Sequence, residues 1–408
     1  MKCRHCNSTL KHTFVDLGTS PPSNAYVPEH SIKKPESWYP LKVKVCSQCW
    51  LVQTEDFVRE ETMFSDDYAY YSSFSTSWLE HAKKYTKDML SRFHFNSSSM
   101  VVEVAANDGY LLQYMQKSGI PCYGIEPTHG TAEAARKKGI EIVEDFFSVL
   151  KAKELAAKGL QADLMIANNV LAHVPDINDF CNGFSILLKP NGIVTFEFPH
   201  LLNLVDEKQF DTIYHEHYSY LSLISAQKIL NNNGLSIFDV EELSTHGGSL
   251  RVYAQRSDTG KRSKNKSVAE LEKKEKTFGL NTINYYENFQ EKVEKIKLDF
   301  LKFLVDAKQN KMKIVAYGAA AKGNTLINFS GIKPDLISYV VDKNPMKQGK
   351  YLPGSRIPIV GEKTLKLDKP DYIIVLPWNL KEEIFQLLRS VCKHNVKLVT
   401  IIPKIEIV

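Results

Sequence analysis

The sequence predicts an α/β protein in which a doubly wound, mostly parallel sheet lies between a small cysteine-rich unit and a second, smaller α/β unit. Three observations predict this arrangement. Two CxxC pairs occur before residue 50. From residue 99, short apolar runs alternate with helix-length segments, which is typical of parallel strands joined by crossover helices. The same alternation returns at residue 313, after a stretch rich in Lys and Glu.

The composition is that of a multidomain globular protein. The chain has 408 residues, enough for two or three domains. Hydrophobic residues make up 43% and charged residues 24%, so long disorder is not expected. The net charge of +5 is too slight for a nucleic-acid-binding protein. Because the chain has no apolar leader and no apolar run of roughly 18 residues, we expect a cytoplasmic protein without a membrane partner.

The two CxxC pairs predict a structural zinc site in a domain over residues 1–65. Two intervening residues let both thiolates of a knuckle face one ion, and two knuckles complete a tetrahedral sulfur shell. Four protein ligands leave no position for a substrate, so the metal is expected to stabilise the domain. Ordinary or redox-active thiols are the alternative interpretation. The predicted zinc ligands are Cys3, Cys6, Cys46 and Cys49.

Residues 66–260 are predicted to form the doubly wound sheet. Its first strand, Met100 to Ala105, runs into an Ala-Asn-Asp-Gly turn, and ligands of such folds bind at the carboxyl ends of the strands. Glu126 follows the second strand, where a carboxylate can accept hydrogen bonds from both hydroxyls of a ribose. This pairing suits a dinucleotide or S-adenosylmethionine. The turn lacks the G-x-G-x-x-G pattern of a pyrophosphate site, which favours the cofactor without phosphates.

Further cofactor contacts are expected after the later strands. An acid followed by an aromatic residue at 145–146 suits hydrogen bonding and stacking with an adenine, although capping and loop roles remain alternatives there and at Asn168. The predicted cofactor-binding residues are Glu103, Ala105, Asn107, Gly109, Glu126, Asp145, Phe146 and Asn168.

A dense group of polar and aromatic residues, DTIYHEHY, occupies positions 211–218. His215 and His217 are two residues apart, unlike the HExxH spacing of a zinc-binding helix, so a metal site is the weaker interpretation. An imidazole with a neighbouring carboxylate and a tyrosine within reach suits removal of a proton from a carbon next to a carbonyl. The segment therefore predicts a general acid/base site.

Several motifs together resemble the sugar C-methyltransferase family, which makes branched deoxysugars on dTDP carriers. They follow one another along essentially the whole chain: the two CxxC pairs, FSDDYAYYSSFSTSW from Phe64, VEVAANDGYLL from Val102, NNVLAHVPD from Asn168, YHEHYSYLS from Tyr214, HGGSLRVY from His246 and YGAAAKGNTLINF from Tyr317. The resemblance implies an N-terminal zinc domain, a central methyltransferase domain and a C-terminal Rossmann-like domain. It also implies that a nucleotide-linked keto-sugar binds between the domains.

The resemblance further implies roles for individual residues. Tyr214 and His217 are the candidate bases, Glu216 orients the cluster, His173 neighbours the sugar and Tyr70 caps the site. In the implied reaction, a keto group acidifies the adjacent C–H bond, the base removes that proton, and the enolate attacks the methyl group of S-adenosylmethionine. This chemistry needs neither a nucleophilic Ser or Cys nor a catalytic metal.

The last third of the chain is predicted to hold a helical connector over residues 261–312 and a Rossmann-like domain over residues 313–408. Small residues and one lysine in the GAAAKGN turn suit a diphosphate at a helix N-terminus. A fold kept for packing, or a second dinucleotide site with Asp342 on the ribose, are the alternatives. Trp378 is predicted either to stack on a base or to anchor a loop. The connector's apolar stripe consists of Tyr286, Phe289, Val293, Ile296, Phe300 and Phe303. The predicted substrate-binding residues are Gly318, Ala319, Lys322, Asn324 and Arg251.

Three other functions stay open from the sequence alone. The first is methyl transfer to an oxygen or nitrogen of a glycan or secondary metabolite. The second is nucleic-acid binding by a zinc ribbon, for which the chain lacks a strongly basic face. The third is an oxidoreductase, for which neither turn carries the dinucleotide-binding pattern. We expect a nucleotide-diphosphate sugar as the partner, no nucleic acid, and a monomer or homodimer.

Overall fold

The structure is a computed structural model that describes residues 1–57, 71–392 and 395–408. Tyr70, the predicted cap over the site, lies outside the described residues. The strands are β1 (His12–Ser20), β2 (Val27–Pro28), β3 (Tyr39–Val45), β4 (Val52–Thr54), β5 (Val101–Val104), β6 (Cys122–Ile125), β7 (Glu141–Val143), β8 (Ala162–Asn168), β9 (Leu188–Pro199), β10 (Ser219–Tyr220), β11 (Leu235–Leu243), β12 (Ser249–Arg256), β13 (Ile314–Tyr317), β14 (Val340–Val341), β15 (Lys350–Tyr351), β16 (Ile359–Val360), β17 (Tyr372–Val375), β18 (Lys397–Thr400) and β19 (Glu406–Ile407).

Helices cover the sheets and connect the strands. The α-helices are α1 (Thr76–Phe93), α2 (Leu112–Lys117), α3 (His129–Lys137), α4 (Val149–Ala157), α5 (Ile177–Leu187), α6 (Leu201–Asp206), α7 (Leu223–Asn232), α8 (Lys266–Phe278), α9 (Asn284–Glu287), α10 (Phe289–Gln309), α11 (Ala321–Phe329), α12 (Lys363–Asp368) and α13 (Lys381–Val391). Short 3₁₀ helices occupy Glu29–Ser31, Ser72–Phe74, Leu171–His173, Phe210–Thr212, Thr245–Gly247 and Trp378–Leu380.

The central sheet has the strand order β11-β12-β9-β8-β5-β6-β7. Strands β9, β8, β5, β6 and β7 are parallel, while β11 and β12 form an antiparallel edge. Alternate side chains of β5 point to opposite faces, so Val102 and Val104 pack in one apolar cluster and Val101 in another. Burial on both faces explains the continuous apolar runs of these strands. The predicted doubly wound fold is confirmed.

The C-terminal sheet is a second, smaller α/β unit with the order β16-β14-β13-β17-β18-β19, in which only β19 is antiparallel. The N-terminal sheet is antiparallel, with the order β1-β3-β4-β10. Its edge strand β10 comes from the segment that follows YHEH, so the acid/base motif is tied to the N-terminal unit by main-chain hydrogen bonds.

The connector joins these two outer sheets through a shared apolar cluster. The Phe289 ring of α10 stacks on the Phe14 ring of β1, with the ring centroids 4.4 Å apart. The predicted stripe residues are buried, except that Phe303 is half-buried against Tyr372 of the C-terminal sheet. The same cluster continues into β13 through Ile314. Within the described ranges, no helix combines the length and apolarity needed to cross a membrane.

The four cysteines of the CxxC pairs meet beside the N-terminal sheet. Their sulfur atoms all lie within 4.8 Å of one another, and the Cys3–Cys49 and Cys6–Cys46 pairs are each 3.5 Å apart. A tetrahedral zinc ion with Zn–S bonds of about 2.3 Å needs sulfurs roughly 3.8 Å apart, so the cluster fits zinc with little movement. The Gln53 side-chain amide donates a hydrogen bond to Cys3 Sγ at 3.2 Å, as expected around a thiolate ligand.

We predict that Cys46→Ser loses the bound zinc and lowers the midpoint of thermal unfolding by at least about 5 °C, because one of four structural ligands is removed. Metal content by mass spectrometry and calorimetry measure both effects. Cys122→Ser is the matched control, since the Cys122 thiol lies outside the cluster, and it should keep its zinc. A Cys46→Ser protein with full zinc content would refute the assignment.

Candidate active site

The predicted cofactor residues converge at one edge of the central sheet. Strands β5, β6, β7 and β8 are parallel, so the residues after their carboxyl ends lie side by side. The turn after β5 is held in a left-handed backbone, with φ of 58° at Ala105, 49° at Asn107 and 72° at Gly109. A Cβ at Gly109 would lie 2.3 Å from Ile140 Cδ1, so this position requires glycine.

The chemistry at this edge fits an adenosine better than a phosphate. Glu126 is buried, and its carboxylate accepts hydrogen bonds from the backbone N–H groups of Asn107 at 2.9 Å and Thr128 at 3.0 Å. Carboxylate at the turn repels a phosphate but accepts ribose hydroxyls. The Phe146 ring after β7 is 38% exposed and is available to stack on a base. These residues fit S-adenosylmethionine.

The other predicted cofactor residues have distinct environments. Asp145 accepts a hydrogen bond from Phe146 N at 2.8 Å and pairs with Lys151 at 2.7 Å. Glu103 is fully buried in β5, beneath the turn, and burial raises its pKa well above the ordinary value. It therefore supports the turn rather than lining an open surface. Asn168 ends β8 with 7% of its surface exposed.

The predicted bases lie together in a cluster that we call the imidazole cluster, formed by His173, Tyr214 and His217. The ring centroids of Tyr214 and His217 are 3.9 Å apart, and those of His173 and His217 are 4.6 Å apart. All three residues are half-buried. Burial lowers the pKa of His173 to about 4 and that of His217 well below its ordinary value. Both imidazoles are therefore neutral at pH 7.

The hydrogen bonding of His217 prepares it as a base. His217 Nδ1 lies 2.7 Å from the Thr212 carbonyl oxygen, which can only accept. Nδ1 therefore carries the proton, and the lone pair of the neutral ring is on Nε2. A general base needs this unprotonated nitrogen. The orienting contact on His217 thus comes from a backbone carbonyl, whereas the sequence suggested Glu216.

Glu216 faces the N-terminal unit. Both of its oxygens accept hydrogen bonds from Asn24 Nδ2, at 2.9 and 2.7 Å. Burial raises the pKa of Glu216 to about 7, although the Asn24 hydrogen bonds act in the opposite direction. His215 also faces the N-terminal unit and donates to the Pro40 carbonyl at 3.1 Å. His215 and His217 thus bond to different partners, and the four-cysteine cluster is the one metal-ligand group found among the described residues.

Loops of all three units meet behind the imidazole cluster. Tyr26 of the N-terminal unit donates its hydroxyl to the Ala319 carbonyl at 2.6 Å. Asn324 of α11 donates to the Ser23 carbonyl at 2.6 Å, and Thr325 donates to the Ile213 carbonyl at 2.8 Å. Five of the six residues in these hydrogen bonds are buried, so the contacts fix the relative positions of the loops.

The GAAAKGN turn is largely engaged in packing. A Cβ at Gly318 would lie 2.4 Å from Pro377 Cγ, and one at Gly323 would lie 2.7 Å from Leu376 Cδ1. Ala319 N donates to Asp342 Oδ2 at 2.8 Å, so a carboxylate already occupies that N–H group. Together with the Asn324 contact, these observations favour packing roles for Gly318, Ala319 and Asn324. Lys322 differs, because its ammonium reaches towards the imidazole cluster.

The contacts of Arg251 do not suit a phosphate-binding role. It is 3% exposed, lies in β12 and pairs with Glu197 at 2.6 Å and Glu241 at 3.1 Å. Glu197 also pairs with His81 of α1 at 2.8 Å. Two carboxylates therefore balance the Arg251 charge, and the structure does not bring this side chain to the GAAAKGN turn.

Two functional candidates were missed from the sequence. His246, in the HGGS motif, has a left-handed φ of 55°, and its ring is 4.9 Å from Trp78 and 3.3 Å from the Asn169 amide beside the cofactor edge. Such strain in a residue other than glycine is concentrated at functional sites. Asn24, which holds Glu216, is the second. A histidine followed by two glycines was the available signal for His246, whereas nothing local distinguishes Asn24.

Comparisons with known proteins match three successive segments of the chain. Residues 3–64 match the family model of a zinc binding domain, residues 78–240 that of a methyltransferase domain and residues 244–403 that of the C-methyltransferase C-terminal domain. The C-methyltransferase NovU of Streptomyces niveus is 29% identical over 407 residues, which cover 100% of this chain and 96% of NovU.

Two solved structures overlap about half of the chain. The Synechocystis magnesium protoporphyrin IX methyltransferase with bound SAM is 16% identical over 50% of this chain and 100% of that chain, with a TM-score of 0.38. The Burkholderia thailandensis 1,6-didemethyltoxoflavin-N1-methyltransferase is 15% identical over 51% of this chain and 96% of that chain, with a TM-score of 0.38. At these TM-scores the overlays carry no argument about this chain.

The three matched segments follow one another along nearly the whole sequence, in the order that the motifs predicted. The predictions of an enzyme, of S-adenosylmethionine as its cofactor and of a structural zinc ion are confirmed. The three matches and the similarity to NovU thus confirm the prediction of an S-adenosylmethionine-dependent C-methyltransferase.

Proposed function

We propose that the protein methylates a carbon atom of a nucleotide-diphosphate-linked 4-keto-deoxysugar, with dTDP as the first carrier to test. The observation that carries the proposal is the imidazole cluster, in which a neutral, half-buried His217 has its lone pair on Nε2. A carbon acceptor must lose a proton, and a carbonyl next to that carbon makes the proton acidic enough for an imidazole to remove.

In this proposal each unit has its own task. Residues 1–65 bind zinc and hold the loop that contacts Glu216, while residues 66–260 bind the cofactor and carry the base. Residues 261–312 connect these units to residues 313–408, which bind the nucleotide part of the substrate. A cytoplasmic location suits the four free thiols that form the zinc site, since a reducing compartment keeps them unoxidised.

The chain's residues would act in the following order. S-adenosylmethionine, when bound, supplies an electrophilic methyl group. His217 Nε2 accepts the proton from the carbon next to the keto group, and Tyr214 and His173 pack against the resulting imidazolium. The electron pair of the broken C–H bond would then form the new carbon–carbon bond to this methyl group, while the bond between the methyl carbon and sulfur breaks and its electron pair leaves with the sulfur. His217 returns the proton to solvent, which restores the neutral ring.

Proton abstraction separates this proposal from methyl transfer to oxygen or nitrogen. We expect the enzyme to convert labelled S-adenosylmethionine and one or more dTDP- or CDP-linked 4-keto-deoxysugars into a product with a new C-linked methyl group. Mass spectrometry and NMR detect the methyl group and its attachment. A methyl ether or methylamine, or no product from any keto-sugar while the cofactor still binds, would contradict the proposed acceptor.

The imidazole cluster is tested by substitution. We expect His217→Ala to slow methyl transfer by about 10²-fold or more, because it removes the general base, and Tyr214→Phe to impair turnover as well. S-adenosylmethionine affinity, measured by calorimetry, should change little, because neither residue lies at the cofactor edge. His30→Ala is the matched control, since this exposed imidazole lies far from the cluster in sequence and has no proposed role. Full activity in both cluster variants would refute the assigned base.

A further inference from the structure

The ammonium group of Lys322 has an unusual set of partners. Its Nζ donates to Asn379 Oδ1 at 3.1 Å and lies 4.8 Å from the centre of the Trp378 ring. Both partners are neutral, and no described carboxylate lies within ion-pair distance of this ammonium, although Asp211 attracts it from farther away. A cation held by an amide and an aromatic face keeps its charge available for an anion.

The helix that carries Lys322 contacts the segment of the imidazole cluster, because Thr325 of α11 donates to the Ile213 carbonyl, next to Tyr214, at 2.8 Å. The positive charge of Lys322 is among the causes that lower the pKa values of His217 and His246, after burial, which is the largest cause for both. Asp211 is the acidic group on this side, and its carboxylate accepts a hydrogen bond from the Trp378 indole at 2.7 Å. Burial raises the pKa of Asp211 to about 6. Burial lowers the pKa of the half-buried Lys322 from its ordinary value, while Asp211 acts in the opposite direction and favours the charged ammonium.

The surrounding turn argues against a diphosphate at this lysine. The Asp342 carboxylate accepts the N–H groups of Ala319 and Asn344, each at 2.8 Å, and would repel phosphate oxygens. A phosphate site needs several free N–H donors in one turn. The ammonium is instead placed to meet a small, neutral polar group that becomes negative during the reaction.

We propose that Lys322 donates a hydrogen bond to the keto oxygen of the acceptor and stabilises the oxyanion that forms when His217 takes the proton from the neighbouring carbon. The inference rests on the proposed function. As the C–H bond breaks, its electron pair forms the C=C bond of the enolate, and the carbonyl π pair moves to oxygen. When the carbon is methylated, that pair returns and the C=O bond re-forms.

The negative charge of the oxyanion offsets the positive charges of Lys322 and of the imidazolium formed at His217. Before proton transfer, burial keeps the His217 ring neutral, and the charge of Lys322 adds to this effect. After the transfer, the oxyanion interacts favourably with both the ammonium and the imidazolium. An oriented donor in a site that excludes water is worth about 10²- to 10³-fold in rate.

Exchange of the substrate's carbon-bound proton with D₂O isolates this step, because it needs no S-adenosylmethionine. With a keto-sugar that the wild-type protein methylates, we expect Lys322→Met to slow both exchange and methyl transfer by about 10²-fold. Affinity for dTDP alone should change by less than about 3-fold. Lys322→Arg keeps the charge in a different geometry and should fall between wild type and Lys322→Met. Lys363→Met, at an exposed lysine of the same unit, is the control and should match wild type.

Folding of each variant is verified by its zinc content and its S-adenosylmethionine affinity. Normal exchange in Lys322→Met with a large loss of dTDP affinity would overturn the inference and assign Lys322 to the diphosphate. Normal exchange with normal dTDP affinity would also overturn it. A wild-type protein that neither exchanges nor methylates any keto-sugar would refute the proposed function itself, which distinguishes the two failures.

Discussion

The packing of Phe14 between Tyr286 and Phe289 is the contact on which the rest of the arrangement depends. A single apolar cluster runs from the N-terminal sheet through α10 to the C-terminal sheet, so the two outer units behave as one body. Burial of large aromatic side chains is the strongest source of such rigidity, because it is worth several kcal/mol per ring. The loops that meet behind His217 are positioned by this body and not by local turn geometry.

The zinc-binding unit is connected to the acid/base segment through this packing. Four thiolates close a small unit that has little core of its own. That unit supplies the loop from Ser23 to Tyr26, whose polar groups bond to Glu216, Ala319 and Asn324. It also pairs β4 with β10, directly after the acid/base motif. The N-terminal unit and the acid/base segment are therefore joined by side-chain and main-chain hydrogen bonds.

Burial and charge together set the protonation states of the cleft. The imidazoles of His173, His217 and His246 all lose affinity for protons because they are desolvated, and the nearby lysine strengthens the effect on His217. Burial raises the pKa of Glu216, because it disfavours the charged form of the carboxyl group. Neutral imidazoles with a lysine nearby suit the proposed reaction, in which negative charge develops on a carbonyl oxygen.

The sequence by itself determined the elements whose signals are local. Alternating apolar runs predicted the parallel strands, paired CxxC motifs predicted the zinc ligands, and the three- and four-residue spacing of the connector predicted the buried stripe that includes Phe289 and Phe300. Each of these patterns reflects a periodicity of the backbone or a ligand geometry within a few residues, which the chain must satisfy wherever it folds.

Only the tertiary structure decided what the polar residues do. The turn that contains Gly318 and Gly323 was predicted to bind a diphosphate. In the structure, the absence of side chains at these glycines makes room for Pro377 and Leu376, which follow more than fifty residues later in the sequence. Arg251 was predicted to bind the substrate, but it forms an ion pair with Glu197. No sequence pattern predicted that Asn24 donates a hydrogen bond to Glu216. Hydrogen-bond partners and burial arise from contacts between distant segments, and one sequence does not encode those distances in any local pattern. The position of Lys322 beside His217 follows from the same long-range packing.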